Sequence, residues 1–321
     1  MQYYYLIAGL TEYPFDIEHA AAEGGGSSGS RVDVPQIKEQ IMSELTAGDR
    51  WAVELLYTYY DIENIMGYVR GTKLPFNALG NLSRDGVALL ADGKIEEGGS
   101  ETLLPEELAE RLERLAVPGT VRLALDRFAG RVEQTGEDEE GRRPLSADDL
   151  ERELLESFYR ICEAEGVCVC GGGRVPEYLR RWAGYDRTMR NIVAAYKARQ
   201  LGWPEELKEG MIVESDGEVK EALLNGQAAD FGMKDRFPYM DELLQVLETA
   251  DFVERERKMD ALRVRVADDL AEHDYFGIGR ILNYLIRLNI LYRWAALDKE
   301  RGREDFRELV SALTDLDRGA E

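Results

Sequence analysis

Gly25-Gly26-Ser27-Ser28-Gly29 fits the G-x-S-x-G pattern of a nucleophile elbow, in which a strained strand-to-helix turn lifts a serine hydroxyl toward a carbonyl carbon. That chemistry requires a buried strand before the serine and a helix after it. Acidic and small residues precede the motif and Arg31-Val32-Asp33-Val34-Pro35 follows, so a flexible low-complexity loop over 23–30 is expected instead. Cys168-Val169-Cys170, with Cys162 upstream, would offer thiolates to a soft metal, and Gly171-Gly172-Gly173 would let backbone approach. Structural zinc takes four ligands in paired clusters, and His19 and His273 stand far away in sequence, so small apolar thiols at a helix end are the expectation. Phe276-Gly277-Ile278-Gly279 opens like a dinucleotide fingerprint but lacks the third glycine and a preceding apolar strand; it predicts a turn that starts a helix. No phosphate loop ending in Lys-Ser/Thr occurs, so ATP binding or hydrolysis by this chain is not expected. No catalytic, cofactor or metal residue is assigned. A hydrolase or metal enzyme built on the glycine-rich or cysteine-bearing segment would need a ligand-sized pocket lined by titratable groups.

Two further sets of polar residues invite a binding role. Arg174, Arg180, Arg181, Arg187, Arg190, Lys197 and Arg199 form a basic island, suited either to gripping an anionic surface or phosphate or to pairing with acids inside the bundle; pairing is the expectation in so acidic a chain. The tripeptide Asn-Ile-apolar recurs at Asn64, Asn191 and Asn289, at intervals of roughly 130 and 100 residues, and two copies follow a Tyr-Asp pair, Tyr60-Asp61 and Tyr185-Asp186. These asparagines are expected to bond helix-end backbone near a core rather than a ligand. Trp182, Tyr196, Tyr284 and Trp294 are expected in the core.

The elements that must position these residues read as helix after helix. Ile281, Leu285, Leu288 and Tyr292 return to one side of a 3.6-residue turn, as do Leu150, Leu154, Phe158 and Ile161, and Leu104, Leu108, Leu112 and Leu115. Further helices are marked by Ile37–Leu45, Trp51–Tyr60, Trp182–Tyr196, Leu243–Leu247 and a final short one holding Phe306, Leu309, Val310 and Leu313. Ser146-Ala147-Asp148-Asp149 offers an N-cap with first-turn acids, and Pro204 stands at a helix start. The tyrosine-rich opening, Tyr3-Tyr4-Tyr5-Leu6-Ile7, is an uncharged run of β-formers and predicts one short strand. The expected organisation is an N-terminal helical part over 1–133, an acidic connector over 134–144 containing Glu137-Asp138-Glu139-Glu140, and a helical remainder over 145–321 that divides near 215.

Composition narrows the function. With 44% hydrophobic residues in 321, the chain can bury a substantial core. Its 63 acids against 40 bases give a net charge of −23, which disfavours broad contact with nucleic acid or an anionic membrane and favours neutral or basic protein partners. No secretory leader or bilayer-spanning apolar run is read, and three cysteines do not suggest a disulfide framework, so a reducing cytoplasm is expected.

Tyr60-Asp61-Ile62-Glu63-Asn64 with Gly80-Asn81-Leu82, Arg181-Trp182 with Arg190-Asn191, Glu254 to Asp260, and Tyr275-Phe276-Gly277 with Tyr284 and Arg293-Trp294 together resemble a bacterial family of uncharacterised proteins encoded beside V/A-type ATPase genes. That family is itself similar to the C-type central-stalk component of the archaeal and bacterial rotary ATPases, whose eukaryotic counterpart is the d-type component. The resemblance implies an all-α funnel of three pseudo-repeated subdomains on the cytoplasmic face of the proteolipid ring, receiving the foot of the central axle. Function would then be mechanical, without catalysis, cofactor or metal. The runner-up is a free-standing acidic helical scaffold, a protein-interaction protein related to the C-type component by ancestry only.

Overall fold

The computed structural model describes residues 2–11, 33–72, 75–95, 118–137, 146–165, 174–213 and 216–295. Within them the chain forms twelve helices and no strand. In order these are α1 (Tyr4–Gly9), α2 (Val34–Glu44), α3 (Ala47–Val69), α4 (Arg84–Ile95), α5 (Gly119–Glu137), α6 (Ala147–Cys162), α7 (Glu177–Gln200), α8 (Glu205–Met211), α9 (Gly217–Asn225), α10 (Met240–Leu247), α11 (Phe252–Ala271) and α12 (Ile278–Ala295). The all-α, multi-helical architecture expected from periodicity is the one observed. Helix starts are fixed by side-chain caps that satisfy otherwise orphaned N–H groups. Ser146 and Asp149 form a reciprocal capping box at α6, while Thr46, Asp216 and Asp251 accept first-turn N–H groups of α3, α9 and α11.

Two expectations are corrected. The tyrosine-rich opening is not a strand but helix α1. No neighbouring strand exists among the described residues to pair with it, and β-propensity measures fit to a pleated surface more than a backbone preference. Instead the Tyr3 N–H donates to the Phe276 carbonyl at 2.6 Å, its hydroxyl donates to Asp49, and Leu6, Ile7 and Leu10 pack on the core at helical spacing. The acidic connector also starts later than expected, because α5 continues through Glu137 and takes in 134–137; the rest of 134–144 lies outside the described residues. So do the 23–30 loop, the Leu104–Leu115 helix and the final helix at Phe306–Leu313.

One continuous apolar cluster runs from Tyr3 and Val34 on the N-terminal side to Ile281 and Leu288 on α12. Helix α6 packs on α5 and α3, α12 packs on α11, α7 and α2, and α10 packs on α11. Residues from both sides of the connector thus share one core. The aromatic groups follow expectation: Trp182 and Trp294 are buried, and Tyr196 and Tyr284 are half-buried against the cluster.

Candidate functional site: polar ties where helices meet

Several core-facing helical positions are occupied by polar side chains, and each ties its helix to another segment. On α2, Val34, Lys38, Ile41 and Leu45 recur at helical spacing, so Lys38 occupies a slot in an apolar stripe and is buried. Its ammonium donates to the Leu79 carbonyl at 3.0 Å and to Asn81 Oδ1 at 3.1 Å, and stands 4.1 Å from the centre of the Tyr57 ring. Asp61 on α3 faces the same loop, accepting from the Leu82 N–H at 2.8 Å and from Asn81 Nδ2 at 2.9 Å. The loop approaches so closely that a Cβ on Gly80 would stand 2.6 Å from Asp61 Oδ1, which is why glycine is required there.

Burial pushes the Asp61 carboxyl up to about 6 despite the Leu82 and Asn81 bonds and the Lys38 charge, while burial lowers Lys38. In the unfolded chain a carboxyl of this kind titrates at 3.8, so the folded state holds the proton more tightly. The stabilising contribution of Asp61 is therefore full below the unfolded value and lost as pH rises through the folded one. Asp61→Asn, which has no such titration, is expected to gain on the parent by about 2 kcal/mol between roughly pH 4 and 7. Urea unfolding at the two ends of that range checks this: parallel pH profiles for the two proteins would show that Asp61 does not titrate there.

The recurring asparagines divide two against one. Asn64 Nδ2 donates to the Asn77 carbonyl at 2.9 Å and its Oδ1 accepts the Asn77 N–H at 2.8 Å. Asn191 makes the same two-point clamp on Val213, donating at 2.8 Å and accepting at 2.9 Å. In both, a carboxamide from a long helix replaces a missing strand partner for one residue of the chain that follows. These two bond backbone near the core, in the segments that follow α3 and α8 rather than at a helix end. Asn289 does otherwise: its Oδ1 accepts from the Tyr57 hydroxyl at 2.9 Å, joining α12 to α3.

The densest charge lies where α3, α6, α7, α11 and α12 meet. Asp260 on α11 is 1% exposed and accepts from Arg263 at 2.9 Å, from the Trp294 indole N–H at 2.7 Å, and from Arg293, which lies on α12 as Trp294 does. Asp186 on α7 accepts from the Tyr159 hydroxyl of α6 at 2.7 Å. Arg190, Arg263, Tyr59 and Glu63 stand within electrostatic reach of Asp186. Burial, reinforced by the Asp186 and Glu63 charges, pushes the Tyr59 phenol up to about 12, so it remains a hydrogen-bond donor at neutral pH. Glu63 is exposed by area, yet its carboxyl is raised because the surrounding helices remove water from it.

Part of the basic island is taken up by pairs with acids. Arg180 bridges Glu177 at 2.6 Å and Glu165 at 3.3 Å, and Arg187 grips Glu163 at 2.7 and 2.9 Å. Arg199 donates to the Gly226 and Ala228 carbonyls and lies over the Phe231 ring at 3.7 Å, while Arg174, Arg181 and Lys197 are exposed. Arg190 alone of the island joins the helix junction. Gly277 and Gly279 form the predicted helix-start turn, their N–H groups donating to Asp274 at 2.7 and 2.9 Å ahead of and within α12. Cys162 is the buried last residue of α6 and His273 is exposed; Ser27, His19, Cys168 and Cys170 lie outside the described residues. Among the described residues no cluster of three His, Cys, Asp or Glu is placed to hold a metal ion, and no helix is long and apolar enough to cross a membrane.

Lys38 and Asp260 were missed as site residues. The readable signal was the interruption of a stripe: Asp260, Val264, Ala267 and Ala271 share a face, as do Lys38 and its apolar neighbours.

Fold and junction together define the class: an all-α, multi-helical bundle whose buried polar side chains lock helices and loops to one another. Within that class the chain belongs to the family described as protein of unknown function DUF2764, whose model matches residues 1–316. No curated protein and no solved structure matches it.

Proposed function

We propose that the chain is a non-enzymatic coupling component of a V/A-type rotary ATPase, seated between the central axle and the membrane proteolipid ring at the cytoplasmic face. The observation that supports this reading is the use to which buried polarity is put. Asp260 ties α11 to α12, Tyr57 and Asn289 tie α3 to α12, Asp186 and Tyr159 tie α7 to α6, and Asn191 ties α7 to the segment after α8. A part that passes torque must keep its helices at fixed angles, since any sliding between them dissipates the load. Directional bonds in a dry interior resist sliding more sharply than apolar contact does. The ATPase itself comes from the resemblance, and Asp61, Asn64, Arg190, Asn191, Arg293 and Trp294, which carry part of it, all sit in these ties or at the junction.

An affinity tag on the chromosomal copy, followed by purification and mass spectrometry, tests the reading. Axle and ring proteins are expected in near-stoichiometric amounts, and deletion is expected to uncouple ion transport from nucleotide turnover. A clean monomer without any ATPase component, and a deletion strain with fully linked transport, would favour the free-standing acidic scaffold.

A further inference from the structure

Aromatic rings from distant parts of the sequence stand together at the surface. Tyr4 lies on α1, and Tyr275 and Phe276 form the turn that leads into α12. The ring centres of Tyr4 and Phe276 are 4.5 Å apart, and those of Phe276 and Tyr275 are 6.5 Å apart. Tyr4, Phe276 and Tyr275 are 50%, 42% and 68% exposed. Apolar residues scattered singly are ordinary on a surface, whereas exposed rings gathered from two segments mark a contact site.

The cluster is held in shape from beneath. Tyr3 is buried, and it donates its N–H to the Phe276 carbonyl at 2.6 Å and its hydroxyl to Asp49. The turn is closed by Asp274, which accepts from the Gly277 and Gly279 N–H groups at 2.7 and 2.9 Å. Rings fixed in advance lose little freedom on binding, so more of the contact energy appears as affinity. Charge in the two segments has one sign. Residues 2–11 carry no charged side chain, and 266–279 hold Asp268, Asp269, Glu272 and Asp274 but no Lys or Arg. Glu272 is exposed beside the turn; Arg50, next to Asp49, is turned onto the Met42 and Leu45 carbonyls, and Arg280 follows within α12. Aromatic faces carry negative charge density, so rings and acids alike favour a cation. A second copy would bring the same acids face to face with −23 on each chain, and an anionic bilayer would be repelled likewise.

We propose that this aromatic cluster is the docking surface for a basic amphipathic segment of a partner protein, whose apolar side chains pack on Tyr4, Tyr275 and Phe276 while Lys or Arg lies over ring faces toward Glu272. The inference goes beyond the coupling role and does not rest on it, because peptide binding by the isolated chain is measurable whether or not ATPase components co-purify.

Fluorescence anisotropy of a labelled helical peptide of Lys and Leu, titrated with the full chain at physiological ionic strength, tests this, beside a Glu–Leu counterpart and vesicles of neutral phosphatidylcholine. The Lys–Leu peptide is expected to bind the parent and to bind Tyr4→Ser/Tyr275→Ser at least about tenfold more weakly. Tyr4→Phe/Tyr275→Phe, which keeps the rings, is expected to retain most of the affinity, and Glu272→Gln to lose about two- to threefold. These positions are exposed, and circular dichroism on each variant separates lost binding from lost fold. Absence of Lys–Leu binding to the parent, equal affinity for parent and serine variant, or equally tight binding of the Glu–Leu peptide would overturn the proposal. So would vesicle binding that the serine variant loses, which identifies a bilayer as the occupant, or a parent dimer that it loses, which identifies a second copy.

Discussion

Replacing Asp260 with alanine is expected to cost about 3–5 kcal/mol of folding stability, the largest single loss available in the charged junction. The carboxylate is almost fully enclosed and anchors three donors from two helices: Arg263 a turn further along α11, and Arg293 and the Trp294 indole from α12. Removing it leaves an arginine 27% exposed without its closest acid and strands an indole N–H in the interior. The penalty is mainly that of abandoned donors, so Asp260→Asn, which keeps one carbonyl acceptor for the indole, should cost roughly half as much. Arg293→Ala should cost only about 1 kcal/mol, because that side chain is half exposed and water takes over its donors. Urea unfolding followed by circular dichroism, with Trp294 fluorescence as a local probe, orders the three variants. A loss below about 1 kcal/mol for Asp260→Ala would mean that the arginines swing into solvent and that α11 and α12 are held by apolar contact alone.

Asn191→Ala is expected to cost about 2–4 kcal/mol, because it orphans both backbone groups of Val213 at once. Asn191 and Val213 are both buried, so water cannot replace the lost carboxamide. Asn64→Ala removes the same clamp from Asn77, which is half-buried, and should cost about half as much. Hydrogen exchange adds a reading that overall stability cannot. The Val213 amide, protected in the parent by an acceptor at 2.9 Å, should exchange near the rate of an open loop in Asn191→Ala while amides within α7 stay protected. Retained protection at Val213 would place its acceptor elsewhere and remove the clamp from the account. Asn191→Asp should be worse than alanine, since it sets a charge against the Val213 carbonyl in a dry site.

The helices were legible from the chain because their apolar stripes are long: Leu150, Leu154, Phe158 and Ile161 keep one face for α6, and Ile281, Leu285 and Leu288 keep one for α12. Ser146 was legible because a capping box is a local device that needs no distant partner. The opening reads as strand because Tyr3-Tyr4-Tyr5-Leu6-Ile7 is an uncharged run of β-formers, whereas Tyr3, Leu6, Ile7 and Leu10 are spaced for a helix face, and the Tyr3 N–H donates to the Phe276 carbonyl, far away in sequence. The ties were half legible. Recurrence drew notice to Asn64, Asn191 and Asn289, but their partners Asn77, Val213 and Tyr57 lie at unrelated separations, so the identical roles of the first two and the divergent role of the third emerge only in three dimensions. Asp260 hid inside a charged run, Glu254 to Asp260, that reads as a solvated face until its position over Val264 and Ala267 is noticed.

The hydroxyl of Tyr57 meets Asn289 across 232 residues of chain, and α12 also packs on α2. During synthesis, α2 therefore leaves the ribosome long before α12, and the side of its apolar stripe that faces α12 waits uncovered until that helix has emerged, whereas α3 can already pack on α4 and α6. Folding that depends on so distant a closure is slow and prone to self-association, and the net charge of −23 opposes it through mutual repulsion between nascent copies during the interval before α12 docks.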